Sequence, residues 1–435
     1  MLARRYATFT GGIDLPDLKD ATLDAPVRPG PVPARLRVPL APCGGPPAEP
    51  VVAAGQRVVA GQRLGAASDD AAVDVYAPAT GTVSRLTRVA TAGRYGPAHS
   101  DAVELVELEH LPELPAEPPT AGWRELAAAQ VRERIADGAL TTFRRGAEPL
   151  SGWIERARAA GCRVLIANVM EHEPYVTADH ALLRARGRQV AGGLMLLGRA
   201  IGAETVYLAA DRRRTDDYHP AEDAARELGI EPVALEHKYP TGADVMLVKI
   251  LTRCETPPGG SPTDVGAAVV DAATCFATYA QVACGVRPSG RVVTVAGERT
   301  SRVGNFFVPF GVGCVDLVGA PGPPVLHGGA MTALRCDEAT VTSPASDAVL
   351  APAVETPPHP GPCIRCGWCV AHCPARLNVA ALNDAFELAD VDRAARLGVR
   401  ACIACGVCSY ICPARLPLTQ RMNQLNRAVG RVADG

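Results

Sequence analysis

Eight of the fifteen cysteines fall between positions 363 and 412, in two runs of one spacing. Cys363-Ile-Arg-Cys-Gly-Trp-Cys-Val-Ala-His-Cys-Pro374 and Cys402-Ile-Ala-Cys-Gly-Val-Cys-Ser-Tyr-Ile-Cys-Pro413 both read C-x2-C-x2-C-x3-C-P. Three thiolates so spaced can wrap three corners of an iron–sulfur cubane on a tight turn, and the glycine lets the backbone pass close. Where two such runs occur together, the cysteine before proline ligates the other cluster. The pattern therefore assigns Cys363, Cys366, Cys369 and Cys412 to one [4Fe–4S] cluster, and Cys402, Cys405, Cys408 and Cys373 to a second. Zinc, the rival metal, takes four ligands from paired C-x2-C units, and two identical four-cysteine runs ending in proline argue against it. Clusters that exchange ligands are close neighbours, and neighbours conduct electrons; a purely structural role needs only one.

The elements that must hold these runs are helical. Between them, Asn378 to Leu397 places Leu382, Phe386, Leu388, Ala389, Ala394 and Ala395 at helical intervals. A helical two-cluster ferredoxin domain over residues 355–435 is expected, rather than the compact β-hairpin type.

The other seven cysteines (Cys43, Cys162, Cys254, Cys275, Cys284, Cys314, Cys336) stand singly and form no disulfide framework. Each is read as a small buried hydrophobe, and thiolate clusters with free thiols together imply a reducing compartment. A net charge of −2 supplies no basic field for nucleic acid and no polybasic membrane anchor. Arg4 and Arg5 have no apolar run behind them, so no signal peptide is read here. The most apolar stretch, Gly192 to Ala210, is broken by Arg199 and Glu204 and is too short to cross a bilayer comfortably. No direct membrane span and no nucleic-acid partner are expected.

At 435 residues and 48% apolar composition, the chain has material for several cores. Residues 1–110 read as β-rich, with short strands at Arg35–Leu40, Glu49–Val52 and Val73–Tyr76 cut by Gly and Pro. Gly55 to Leu64 and Ala77 to Val83 have the look of a lipoyl-type barrel-sandwich. Its hairpin tip would be Pro78-Ala-Thr-Gly81, which carries no lysine, so a swinging-arm role is excluded. A Pro/Glu-rich linker, Leu111 to Thr120, follows. Residues 121–284 alternate helix and buried strand (Trp123–Ala136, Arg163–Ala167, Ala181–Ile201, Thr205–Ala209), which argues for a parallel sheet flanked by helices. Residues 285–342 form a small β-rich, β-grasp-like module with strands at Arg291–Ala296 and Asn305–Phe310, and residues 343–362, rich in Pro and Ala, read as the last linker. The fold class is thus multidomain α/β and β.

With the cysteine repeat in hand, further segments become recognisable: Phe9-Thr-Gly-Gly-Ile-Asp-Leu-Pro16, the barrel-sandwich, Glu171-His-Glu-Pro-Tyr-Val-Thr-Ala-Asp-His180, Lys238-Tyr-Pro-Thr-Gly-Ala243, Gly259 to Gly266 and Gly304-Asn-Phe306, in this order. Together they resemble the C subunit of the Rnf electron-transport complex over nearly the whole chain, and the middle domain also resembles the flavin-carrying subunit of respiratory complex I. The resemblance implies a peripheral subunit of an ion-translocating NADH/ferredoxin-type oxidoreductase, at the cytoplasmic face of the cell membrane. Its implied partners are the membrane subunits and a soluble redox donor or acceptor. It also implies FMN on a glycine-rich loop of the form GxGGxGFPTxxK, whose N–H groups approach phosphate because glycine has no side chain.

Here the sequence departs from the family. Asp137 to Gly152 contains no GxGG and no FPT, and no lysine occurs between Lys19 and Lys238. A second flavin-side motif survives as Asn168, Glu171, Glu173 and Pro174, and a later family asparagine is Asp271. Asn168, Glu171 and Glu173 are the candidate FMN residues; without the loop, the carboxylates are equally read as remnants or as capping residues. Arg144 and Arg145 are read either as a substitute phosphate site or as a solvated charged loop. The chain is expected to relay electrons through its two clusters with a lost or much altered NADH/FMN site. The alternative is an assembly or docking module whose clusters mainly stabilise the fold.

Overall fold

The computed structural model describes residues 8–433 except 43, 94–95, 117–121, 145, 320–323 and 354–358. In its middle, four runs rich in Val, Leu, Ile and Ala form a parallel sheet in the order Glu231–Leu235, Thr205–Asp211, Val164–Val169, Ala267–Asp271. Such runs are buried on both faces because helices cover them. The long helix Ala178–Ile201 packs along the helix Ala272–Cys284 on one face, and the helix Asp244–Thr252 covers the other. The apolar stretch from Gly192 thus lies in a helix pair, and among the described residues no helix is long and apolar enough to cross a membrane. Gly193 permits the close approach: a Cβ there would sit 1.7 Å from the Cys275 carbonyl oxygen.

The N-terminal region builds a barrel-sandwich from two small sheets. One runs Leu36–Pro39, Gly96–Glu109, Thr80–Gly93, Arg57–Val58; the other runs Glu49–Pro50, Arg63–Ala66, Val75–Tyr76. Its two longest strands form an antiparallel hairpin of 14 residues a side. The far end of that hairpin leaves the barrel, where Ala90 pairs with Thr340.

A six-stranded sheet joins the barrel to the middle domain, in the order Val27–Pro29, Gly304–Pro309, Gly290–Ala296, Ala348–Leu350, Leu326–His327, Leu334–Arg335. Two expected boundaries move with it. Val27–Pro29 leaves the 1–110 unit to pair in parallel with Gly304–Pro309. Ala348–Leu350, inside the expected linker, pairs with Gly290–Ala296, so the β module runs past 342. The Ser-Pro-Ala-Ser stretch at the start of that linker is a buried turn: Ser343 N–H donates to Ser346 Oγ at 2.8 Å, and Ser346 Oγ meets His327 Nε2 at 2.6 Å. The barrel and this sheet share one core, in which Leu36, Val38 and Leu105 pack with Val293, Phe306 and Val349.

The C-terminal domain is helical. Asn378 and Asp390 cap the helices Val379–Glu387 and Val391–Arg396, so the stretch expected to be helical forms two helices, with Ala389 between them at φ +53°. Leu382, Ala394, Leu416, Met422 and Leu425 form its core with the helix Leu418–Ala433. Of the single cysteines, Cys162, Cys275 and Cys314 are buried as expected, Cys284 and Cys336 are half-buried and Cys254 is exposed. Cys43 lies outside the described residues.

Candidate functional site

The two cysteine runs fold alike. Arg365 and Ala404, then Gly367 and Gly406, then Arg376 and Arg415 occupy equivalent places and all have positive φ between 55° and 84°. This left-handed backbone turns the chain around a central object, and glycine enters it without a Cβ penalty. Each glycine starts one turn of helix, Trp368–Ala371 or Val407–Tyr410.

These turns bring the cysteines into two groups across the repeat. Cys363, Cys366 and Cys369 line one pocket together with Cys412 and Pro413, about 410 Å³ including its open mouth. In the other group Cys373 lies among Cys402, Cys405 and Cys408, close enough for their charges to interact. Backbone N–H groups reach the sulfurs: Leu377 N–H donates to Cys373 Sγ and Ala404 N–H to Cys402 Sγ, both at 3.4 Å. Burial, reinforced by neighbouring thiols, pushes Cys369 and Cys408 up to about 11, and burial raises Cys373, Cys402 and Cys405 as well. Cys408 is among the charges acting on Cys369, so the two groups are neighbours.

Among the described residues, no three His, Cys, Asp or Glu side chains converge as a single ion requires. A zinc site would hold its four sulfurs about 2.3 Å from one ion, whereas the two groups of four, exchanged across the repeat, have the make-up that two cubane clusters take.

The surroundings of the two groups differ. Around the first, Cys366 is exposed and is flanked by Ile364 and Trp368, 64% and 54% exposed. The second is covered by chain from far away. Gly12 N–H donates to His372 O at 2.8 Å, and a Cβ on Gly11 would sit 2.7 Å from Cys373 O. Ile13 forms a two-bond bridge with Tyr239, Tyr239 OH donates to Cys405 O at 2.6 Å, and the Met331 carbonyl abuts Gly406. Lys238 Nζ donates to Phe9 O at 2.7 Å and lies 4.7 Å from the Phe9 ring centroid. The Phe9–Pro16 and Lys238–Ala243 segments are visible as motifs, but nothing in the sequence ties them to the cysteines.

At the C-terminal edge of the parallel sheet, the candidate flavin residues bond to the protein itself. Asn168 Nδ2 donates to Gly242 O at 2.7 Å. Glu171 accepts the N–H groups of Asp179 and His180, at 2.7 and 2.9 Å, at the start of the long helix. Burial pushes its carboxyl up, and the Lys19 ammonium and the two N–H groups pull it back. Glu173 accepts from Met331 N–H and Thr332 Oγ1, both at 2.8 Å. Asp271 caps the next helix through Thr274.

The loop before the sheet is closed. Leu140, Thr141, Thr142 and Phe143 are buried. Thr142 N–H donates to Glu148 O, and Phe143 N–H donates to Thr274 Oγ1 at 2.7 Å. Arg144 is ion-paired with Asp244; Arg145 lies outside the described residues. The Thr142 and Phe143 N–H groups are thus engaged internally, and the buried side chains of Leu140 to Phe143 stand where the family's loop carries glycines.

Comparison with known proteins matches three families in chain order. The RnfC barrel sandwich hybrid domain matches residues 7–105. The Nuo51 FMN-binding domain matches residues 150–280, starting just past the closed loop, and the 4Fe-4S dicluster domain matches residues 359–413. The C subunit of the ion-translocating oxidoreductase complex of Rhodobacter capsulatus is 31% identical over 414 residues, covering 90% of this chain and 77% of that protein. Its namesake in Pseudomonas aeruginosa is 30% identical, covering 85% of this chain and 49% of that longer protein. The C subunit of the proton-translocating ferredoxin:NAD(+) oxidoreductase complex of Clostridium ljungdahlii is 26% identical, covering 86% of this chain and 84% of that one. The chain therefore belongs to the family of C subunits of the ion-translocating oxidoreductase complex, electron-transport proteins of the Rnf type, and carries that family's 4Fe–4S dicluster domain.

Proposed function

We propose that this subunit relays electrons, one at a time, between a soluble redox donor or acceptor and the membrane subunits of an Rnf-like complex, without an NADH:FMN entry site of its own. The observation that carries the relay is the exchange of cysteines across the repeat, Cys412 beside Cys363, Cys366 and Cys369, and Cys373 beside Cys402, Cys405 and Cys408. On this reading each group of four holds one [4Fe–4S] cluster, which supplies one-electron chemistry when bound. The chain's own residues set the terms. Leu377 and Ala404 N–H groups donate to sulfur and favour its charged form. The Phe9–Pro16 strap and Tyr239 lie over the second group, while the exposed Cys366 turn leaves the first open to a partner. The closed loop at Leu140–Phe143 supports the absence of FMN. The subunit works in the cytoplasm, peripheral to the inner face of the cell membrane and held there by its partners.

The test is anaerobic purification with iron analysis and electron paramagnetic resonance. About eight irons, in two reducible four-iron centres, are expected. Cys373→Ser should damage the cluster of Cys402, Cys405 and Cys408 more than the one on its own run. Loss of the cluster nearest in sequence would refute the exchange, and clusters that resist reduction by a low-potential donor would make them structural.

A further inference from the structure

Tyr239 is buried to 1% exposure, yet its hydroxyl faces two acceptors from different domains. It donates to the carbonyl of Cys405 at 2.6 Å and lies 3.4 Å from Glu173 Oε1. One hydroxyl carries one proton, so the shorter contact takes it and the carboxylate stands behind the phenol oxygen. Glu173 accepts on both oxygens, from Met331 N–H and Thr332 Oγ1.

The phenol is fixed in this place. His172 packs edge-on against its ring at a centroid distance of 4.9 Å, and the bridge to Ile13 clamps its backbone. Leu15 and Val407 close the sides. Met331 completes the ring of contacts: its N–H is held by Glu173 while its carbonyl lies against Gly406, where a Cβ would sit 2.6 Å away. Glu173, Tyr239 and Met331 thus bind the flavin-side motif of the sheet directly to the turn Cys405-Gly406-Val407.

We propose that Tyr239 and Glu173 are positioning residues for the inner cluster, the one held by Cys402, Cys405, Cys408 and Cys373, and that they set its reduction potential in opposite directions. The proposal rests on the relay reading above. The hydroxyl dipole turns its positive end toward the Cys405 turn, which favours an added electron there. The Glu173 carboxylate places a negative charge behind it, which opposes one. Hydrogen bonds and charge near the sulfurs are known levers on such potentials. A carboxylate with the residue type of a flavin-side ligand has here become part of the cluster's setting, which gives the Lys238-Tyr-Pro motif a task the sequence alone does not reveal.

The test is potentiometric titration of the anaerobically purified full chain, followed by electron paramagnetic resonance. Cys366→Ser first identifies the outer wave as the one it disturbs. Tyr239→Phe should keep all eight irons and move the other wave to more negative potential. A severalfold to about tenfold fall in its reduction equilibrium is expected, tenfold being about 59 mV for one electron. Glu173→Gln should move the same wave the opposite way and leave the outer wave in place. A protein that is merely loosened would not give opposite signs at one centre. Should Tyr239→Phe fail to retain iron, Glu173→Gln decides alone, and an unmoved inner wave refutes the proposal. Two waves untouched by both substitutions overturn this inference only; a wild-type chain lacking two reducible four-iron centres overturns the relay reading itself.

Discussion

Glu171 offers a sharp way to separate a structural carboxylate from a flavin ligand. Both of its oxygens accept backbone N–H groups, from Asp179 and His180, at the first turn of the 24-residue helix Ala178–Ile201. Glu171→Ala leaves two donors in a buried site without their acceptor. Each buried unsatisfied group costs about 1–3 kcal/mol, giving about 2–6 kcal/mol for the pair. Taking about 4 kcal/mol, and about 2–4 °C per kcal/mol for a domain of this size, the unfolding midpoint should fall by about 10 °C. Glu171→Gln keeps one acceptor and should lose about half of that. The assay is calorimetry of the iron-loaded protein, with hydrogen exchange at the amides of residues 179 and 180 as the local readout. These amides should lose protection while the cluster spectra stay unchanged. A midpoint within about 2 °C of wild type, or unchanged protection there, would refute the capping argument and return Glu171 to the candidate ligands.

Three further outcomes follow from the same geometry. The anaerobically purified protein should contain no stoichiometric FMN and should not oxidise NADH, although its clusters accept electrons from a chemical reductant. Tightly bound flavin with NADH-driven cluster reduction, measured by fluorescence after acid release and by absorbance, would reverse this. Gly193→Ala should cost about 3 kcal/mol or more, because its Cβ would meet the Cys275 carbonyl at 1.7 Å and backbone cannot give way cheaply; an unchanged melting curve would contradict it. His180 is 3% exposed and burial lowers its pKa from 6.5 to about 4. The folded chain therefore stays neutral there while the unfolded chain takes up a proton as pH falls below 6.5. Its contribution to stability is present above about pH 6.5 and declines by about 3 kcal/mol toward pH 4. His180→Gln should flatten this acid slope relative to wild type in pH-dependent melting, and an identical slope would exclude His180 as its source.

The cysteine repeat is legible because its chemistry is local: eight cysteines in two short runs state ligand type, spacing and glycine turns without reference to the rest of the chain. The alternating helices and strands of the middle domain are legible for a similar reason, since each carries its own apolar period. The boundaries are not. Val27–Pro29 and Ala348–Leu350 are three residues each, and their partners lie far away in sequence at Gly304–Pro309 and Gly290–Ala296. No local pattern can announce such pairings.

The altered flavin edge lies between these extremes. That the loop lacks the family's glycines can be read from Asp137–Gly152, but the consequence cannot. Polar groups at a buried sheet edge need partners. In the folded chain Phe143 N–H turns to Thr274, Arg144 to Asp244, Glu171 to the long helix, and Glu173 to Met331 and Thr332. Apart from the helix start that Glu171 caps, each of these partners is distant in sequence from the group it satisfies. The surviving carboxylates therefore need no flavin to account for them. Retaining Glu171 and Glu173 without the phosphate loop is what a sheet edge requires when it caps a buried helix on one side and holds a cluster turn on the other.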